Sequence, residues 1–166
     1  GIVGYGALGR AVARVAESFG MTVEIANRPG GEAVVGRRNL DEILPRLDVL
    51  SLHCPLTDAT RGLIDAARLA RMKPDAVLIN TARGALVDAK ALVEALRSGR
   101  LGGAGIDVLE PEPPPADHPL LDPAIPNLIV TPHIAWAARE SRQRCLDELA
   151  LNVASFLAGG RRNRVD

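Results

Sequence analysis

The sequence has 166 residues, 47% of them apolar, which is enough for one domain with a real core and argues against disorder. Aromatics make up only 2%, so that core must be built from Ala, Val, Leu and Ile. The formal charge is zero, which leaves no general field to draw nucleic acid or an acidic membrane, and Cys54 and Cys145 form no CxxC pair.

No apolar run is long enough to span a membrane and no signal peptide is visible, so a cytoplasmic location is expected. There is no initial Met, and Gly1-Ile2-Val3 reads as the end of a strand, so the sequence is expected to be a fragment lacking its upstream part. Gly4 to Gly9 form a Gly-rich turn, and a helix follows to about Phe19 with Val12, Val15, Ala16 and Phe19 at helical spacing. Val23 to Ala26 is a second strand, and Asn27 to Asn39 is a loop rich in Gly and Arg. A short helix near Leu40 to Leu44 ends at Pro45, and Val49 to Leu52 is a buried strand. A helix near Ala66 to Met72 is stopped by Pro74, and Ala76 to Ile79 is the next strand. Asp88 caps a helix to Ser98, with Gly99 just beyond its end. Gly103 to Val108 and Leu128 to Val130 are the last strands, separated by a Pro-rich loop from Glu110 to Pro126 whose length points to an active-site role. The final helix runs from about Arg139 to Leu157, with Leu146, Leu149, Ala150, Val153, Phe156 and Leu157 as its apolar stripe.

Short apolar strands alternating with helices predict an α/β fold: a Rossmann-type doubly wound parallel sheet in three α/β/α layers, covered on both faces. The expected dinucleotide-binding domain is residues 1–136. Residues 137–166 form a C-terminal helix and tail that would pack back on a substrate domain absent from this chain.

Gly4-Tyr5-Gly6-Ala7-Leu8-Gly9 is G-x-G-x-x-G directly between a strand and a helix. Gly4 allows the tight turn, Gly6 lets a pyrophosphate approach the backbone, and Gly9 lets the helix pack on the sheet. The helix N-terminus then offers N–H groups and a positive dipole end to the phosphates. The residue that usually reads the adenosine ribose is acidic; here it is Asn27, followed by Arg28. The missing carboxylate and Arg28 lean the reading towards NADP. The alternative is NAD, with Asn27 on a ribose hydroxyl and Arg28 solvated.

Polar residues cluster just beyond strand ends, where ligands bind in open parallel sheets. Arg83 follows one strand, Asp107 closes the next with Glu112 soon after, and His133 follows the last. All four would converge on the edge where the cofactor lies.

The motifs GYGALGRAVA, LSLHCPLT, MKPDAVLINTARGALVD, GAGIDVLEPEP and NLIVTPHIAWA make the chain resemble the D-isomer-specific 2-hydroxyacid dehydrogenases over essentially its whole length. TPHIAW and the ESRQR tail look most like the glycerate dehydrogenase, or hydroxypyruvate reductase, branch. The resemblance implies hydride transfer between NAD(P) and a small 2-hydroxy or 2-keto acid, D-glycerate/hydroxypyruvate or glyoxylate being favoured. It implies three catalytic residues. Arg83 grips the keto-acid carboxylate, His133 is the acid/base, and Glu112 is the carboxylate that pairs with His133 and holds its orientation. It makes Asp107 a partner of the nicotinamide carboxamide. Ala7, Leu8, Cys54, Pro55, Thr81, Ala82 and Ala135, with Arg83 and His133, fall at cofactor-groove positions. It further implies a homodimer, with no metal. The rival expectations are a cofactor-binding module of corepressor type and a catalytically incomplete fragment. His53 and His118 stay outside the catalytic set.

Overall fold

The apolar runs form five parallel strands: β1 (Ile2–Val3), β2 (Val49–Leu52), β3 (Val77–Asn80), β4 (Gly103–Ile106) and β5 (Leu128–Val130), hydrogen-bonded in that order. The structure is a computed structural model and describes residues 1–27, 29 and 31–165. Side chains alternate between faces along each strand. In register, Val3, Leu52, Asn80 and Ile106 line up on one face, and Leu50, Leu78 and Ala104 form a parallel row. These rows are buried beneath α2 (Leu40–Ile43), α3 (Ala66–Leu69) and α4 (Ala89–Arg97), which contribute Ile43, Leu69, Leu92 and Leu96 to the same core. Truncating a fully buried member such as Leu78 to Ala should cost about 2–5 kcal/mol.

α1 (Ala7–Ser18) lies on the opposite face, where Val12, Val15 and Phe19 line a groove of about 390 Å³ with Ile2, Val49, Ser51 and Ile79. Helices therefore flank both faces, as expected of a doubly wound sheet. Cover on the α1 side is incomplete among the described residues: Phe19 is 81% exposed and Ile129 of β5 is 70% exposed.

Several boundaries differ from the sequence reading: β3 runs Val77–Asn80 rather than Ala76–Ile79, β4 ends at Ile106 rather than Val108, and two further differences lie at residues 23–26 and in the helix from Ala66. Residues 23–26 do not form a regular strand. They pair through isolated bridges, Ile25 with Ile2 and Ala26 with Arg38. The helix starting at Ala66 ends at Leu69 rather than Met72. Arg71 and Met72 already donate to carbonyls three residues back, a tightened turn ahead of Pro74. By contrast, Asp88 accepts from the Lys90 and Ala91 N–H groups at 3.0 and 3.1 Å, and Gly99 takes φ +69°, so both ends of α4 match expectation.

The bridges fix the topology that matters. From β1 the chain steps outward to residue 25 on one side, and later returns to β2 on the other. The order reverses at β1, and such a switch point opens a crevice at the carboxyl ends of the strands.

The chain divides into two compact units, Gly1–Pro132 and His133–Asp166. The second holds α5 (Arg139–Leu157), none of whose residues is buried, so the expected apolar stripe lies open. The tail folds back on it: Arg162 donates to both carboxylate oxygens of Glu148 at 2.9 and 2.7 Å. No helix among the described residues is long and apolar enough to cross a membrane.

Candidate active site

At the switch point stands the Gly-rich turn. Gly4 has φ +94°, a region that side chains rarely adopt, and a Cβ there would collide with the backbone of His53 and Cys54. A Cβ on Gly9 would collide with the Gly4 carbonyl, so the missing side chain is what lets α1 close onto the turn. Gly6 is different: a Cβ there would meet nothing within 4 Å. The first and third glycines are required by the protein itself, whereas Gly6 faces open space, which is the arrangement a close-approaching phosphate needs. Gly6 is also the N-cap of α1, with no side-chain cap and no acidic residue in the first turn, and Ala7 and Leu8 are exposed beside it. The helix end is left to an anion. The residues present thus fit a dinucleotide.

Asn27 ends the 23–26 segment. Its Oδ1 accepts from Val34 N–H at 3.0 Å and its own N–H donates to Arg38 O at 2.7 Å. It therefore braces the loop that follows. Arg28 lies outside the described residues.

Beyond β2, His53 Nε2 pairs with Ser51 Oγ at 2.9 Å, and burial depresses the imidazole pKa. Cys54 is buried against the Gly4 turn, and burial pushes its thiol pKa up. Pro55 is exposed, its carbonyl accepting from Thr60 Oγ1 at 2.8 Å.

The loop after β3 carries Arg83, which is exposed, as is Thr81, while Ala82 is half-buried. Asn80 shapes it. This fully buried side chain donates to Arg83 O at 2.9 Å and accepts from Ala82 N–H at 3.1 Å, closing an Asx-type turn that holds Arg83 at the strand end. Gly84 then abuts the loop after β4: a Cβ would lie 2.7 Å from Glu110 N and closer still to the Leu109 carbonyl. In that second loop Glu112 Oε1 accepts from Leu109 N–H at 3.0 Å. Through Leu109, the Arg83 loop and the Glu112 loop are thus brought together. Asp107 is buried at the end of β4, accepts from Thr131 Oγ1 at 2.5 Å and donates its N–H to Asn80 O at 2.9 Å. The ends of β3, β4 and β5 are laced into one edge.

Asn80, Gly84 and Thr131 were not among the sequence candidates. An Asn at a strand end followed by a Gly four residues on is a readable turn pattern, and it was there to be used.

His133 opens the second unit at φ +54°, an uncommon conformation for a non-glycine residue. Its carbonyl accepts from Trp136 Nε1 at 2.8 Å, and both His133 and Ala135 are exposed. His118, by contrast, is buried, and its Nδ1 accepts from Leu120 N–H, a capping role. Among the described residues no cluster of His, Cys, Asp and Glu is placed to hold a metal ion.

Residues 1–135 match the NAD binding domain of the D-isomer specific 2-hydroxyacid dehydrogenases. The chain belongs to this family. It is 48% identical over its whole length to the glycerate dehydrogenase of Methylorubrum extorquens, covering 52% of that protein. Among solved structures it superposes on the D-lactate dehydrogenase of Lactobacillus jensenii bound to NAD+ with a TM-score of 0.86 at 34% identity, covering 99% of this chain and 54% of that one. An acyclic imino acid reductase in complex with NADPH and D-Arg gives the same TM-score at 35% identity, covering 99% of this chain and 52% of that one. The chain spans about half the length of the curated relatives it matches. It is an NAD(P)-binding dehydrogenase domain of the 2-hydroxyacid family, and the flanking geometry of Gly4, Gly6 and Gly9 is the physical counterpart of that assignment.

Proposed function

We propose that the full-length protein is a cytoplasmic, homodimeric dehydrogenase that interconverts a small 2-keto acid and its D-2-hydroxy acid, with hydroxypyruvate or glyoxylate as the favoured keto acid. The observation that carries this reading is the Arg83 loop. The backbone of Arg83, whose side chain is exposed, is held at the sheet edge by a fully buried Asn80 and by the Gly84–Leu109 approach, beside the Glu112 turn. A planar guanidinium at this position suits a carboxylate and would polarise the adjacent carbonyl.

A bound reduced nicotinamide would supply the hydride. The chain supplies the rest. Arg83 orients the keto acid, His133 gives a proton to the carbonyl oxygen or takes it back in the reverse direction, and Glu112 holds the imidazole. Asp107, fixed by Thr131, would accept from the nicotinamide carboxamide. Ala7, Leu8, Cys54, Pro55, Thr81, Ala82 and Ala135 would line the groove. The missing acid at Asn27 supports NADP over NAD. Relatives named glycerate dehydrogenase, hydroxypyruvate reductase and glyoxylate reductase support the choice of substrate. The exposed apolar side chains of α1 support a dimer.

The test is NAD(P)H oxidation by the full-length protein with hydroxypyruvate, glyoxylate and pyruvate, compared with Arg83→Ala. The variant should show a sharply raised KM and a lowered kcat, because the same group binds and polarises. A wild type that binds cofactor tightly but turns over no small 2-keto acid would favour a binding module instead.

A further inference from the structure

The Pro-rich loop after β4 carries a buried imidazole that the proposed chemistry does not use. His118 is 7% exposed and stands where the loop enters the short helical turn Pro119–Leu121. Its N–H donates to Pro115 O at 3.0 Å, its carbonyl accepts from Leu121 N–H at 2.9 Å, and its Nδ1 accepts from Leu120 N–H at 3.2 Å. Leu120 is part of the core, and Asp122 pairs with Arg97 of α4, so this end of the loop is anchored. A ring nitrogen that accepts a hydrogen bond carries no proton, so in the neutral imidazole the proton is on Nε2. That second donor has no protein partner among the described residues. The ring lines a cavity of about 30 Å³ whose wall also includes Asn80, Gly84, Leu109 and Glu110. The wall therefore joins both loops of the candidate site. Asn80 closes the turn that holds the Arg83 backbone, and Glu110 lies two residues before Glu112.

We propose that this cavity is a binding site for a single water molecule held by His118 Nε2, and that the bound water sets the Arg83 loop against the Glu112 loop. The positioning role rests on the proposed function, whereas the water site stands apart from it. Size and chemistry select the ligand. A buried water needs on the order of 10–15 Å³ and two to four polar partners, so the space suits water and excludes an organic molecule. His118 Nε2–H supplies a donor. Asn80 Oδ1 accepts from Ala82 N–H alone, and a carbonyl oxygen has a second lone pair, so it can take a hydrogen from the water. A buried donor without a partner is costly, and an ordered water is the usual way to satisfy one. His118 touches no reacting atom. It acts through the two loops and is a positioning residue.

Two substitutions separate the two ring nitrogens. Counted in bonds from Cβ, the side-chain oxygen of Asn takes the place of Nδ1, and the side-chain nitrogen of Gln takes the place of Nε2. His118→Asn keeps the cap on Leu120 and loses the donor to the cavity. His118→Gln keeps the donor and loses the cap. In the full-length protein, with NAD(P)H and hydroxypyruvate, His118→Asn should lower kcat about 10- to 100-fold, the scale of a displacement on the order of 1 Å, and leave dinucleotide Kd within about twofold. His118→Gln should keep most of the turnover while melting at a lower temperature, since a cap is what it has lost. A crystal structure of the full-length wild type should show a water within about 3.2 Å of Nε2, and His118→Asn should lack it. A dry cavity in the wild type, or wild-type kcat in His118→Asn, would overturn the inference. So would the reverse order, in which Gln loses turnover and Asn keeps it, because His118 would then be a cap and nothing more. A wild type that turns over no small 2-keto acid yet holds the water on Nε2 would defeat the proposed function and sustain the water site.

Discussion

Gly84→Ala tests whether the two loops beside the sheet edge must touch. Gly84 does not occupy the left-handed region, so the added methyl brings no backbone strain and acts through space alone. Its Cβ would stand 2.7 Å from Glu110 N and nearer to the Leu109 carbonyl, all backbone atoms that cannot rotate away. Restoring an ordinary 3.4 Å contact with Glu110 N alone needs a separation of 0.7 Å, and the Leu109 carbonyl needs more. Overpacking of this kind costs typically about 1–3 kcal/mol, so the melting temperature should fall. The larger effect should be on turnover. A displacement on the order of 1 Å between reacting groups can cost about 10²-fold, and here it separates Arg83 from the Glu112 loop. NADPH oxidation with hydroxypyruvate should therefore drop by about that factor in kcat/KM. Dinucleotide affinity should stay within a few-fold, because the Gly4–Gly9 turn lies on other elements. Full activity in a variant that melts several degrees lower would refute the idea that loop contact sets the geometry.

Four further outcomes are expected, the one at Arg28 from the sequence alone. Gly6→Val places a branched side chain in the open space before α1 and should abolish binding of NADH and NADPH alike by fluorescence titration, while leaving the fold intact since nothing lies within 4 Å. Arg28→Ala should weaken NADPH by about 1–3 kcal/mol and hardly affect NADH; equal losses would mean that Arg28 does not read the phosphate. The folded-state pKa of His53 is depressed by burial below its usual value near 6.5, so its contribution to stability is present above that pH and is lost as pH falls through it. The acid side of a melting-temperature profile should accordingly flatten in His53→Gln, and an unchanged profile would assign the acid sensitivity to other groups. Cys54, buried with its thiol pKa raised, should resist alkylation at pH 8 until the protein unfolds.

Much of this was readable from residue order. The apolar runs at Val49–Leu52 and Leu128–Val130 became strands with those same limits, and Asp88 and Gly99 bounded α4 as capping chemistry requires. Each of the three glycines faces what its position in the motif demands. What escaped the sequence was pairing and reach. The run at Val23–Ala26 has strand composition but pairs through isolated bridges alone. Asn27 stands at the expected ribose position, and its oxygen also accepts from Val34 N–H, a contact seven residues away that no local pattern announces. The two hydrogen bonds by which Asn80 holds the Arg83 loop likewise depend on a fold the residue order alone does not display. The open stripe of α5 shows the converse limit: helical spacing reports that a face is apolar, not what covers it.

In the proposed function a hydride passes to the carbonyl carbon of a 2-keto acid at this sheet edge. The most direct measurement supplies the full-length protein with hydroxypyruvate and reduced cofactor deuterated at the transferable position of the nicotinamide ring, and reads the product by mass spectrometry. D-glycerate carrying one deuterium at C2 is the expected product, and His133→Ala should slow its formation by about 10²–10⁴-fold while still binding cofactor. Product without deuterium at C2, or a His133→Ala variant that forms it at the wild-type rate, would contradict the claim.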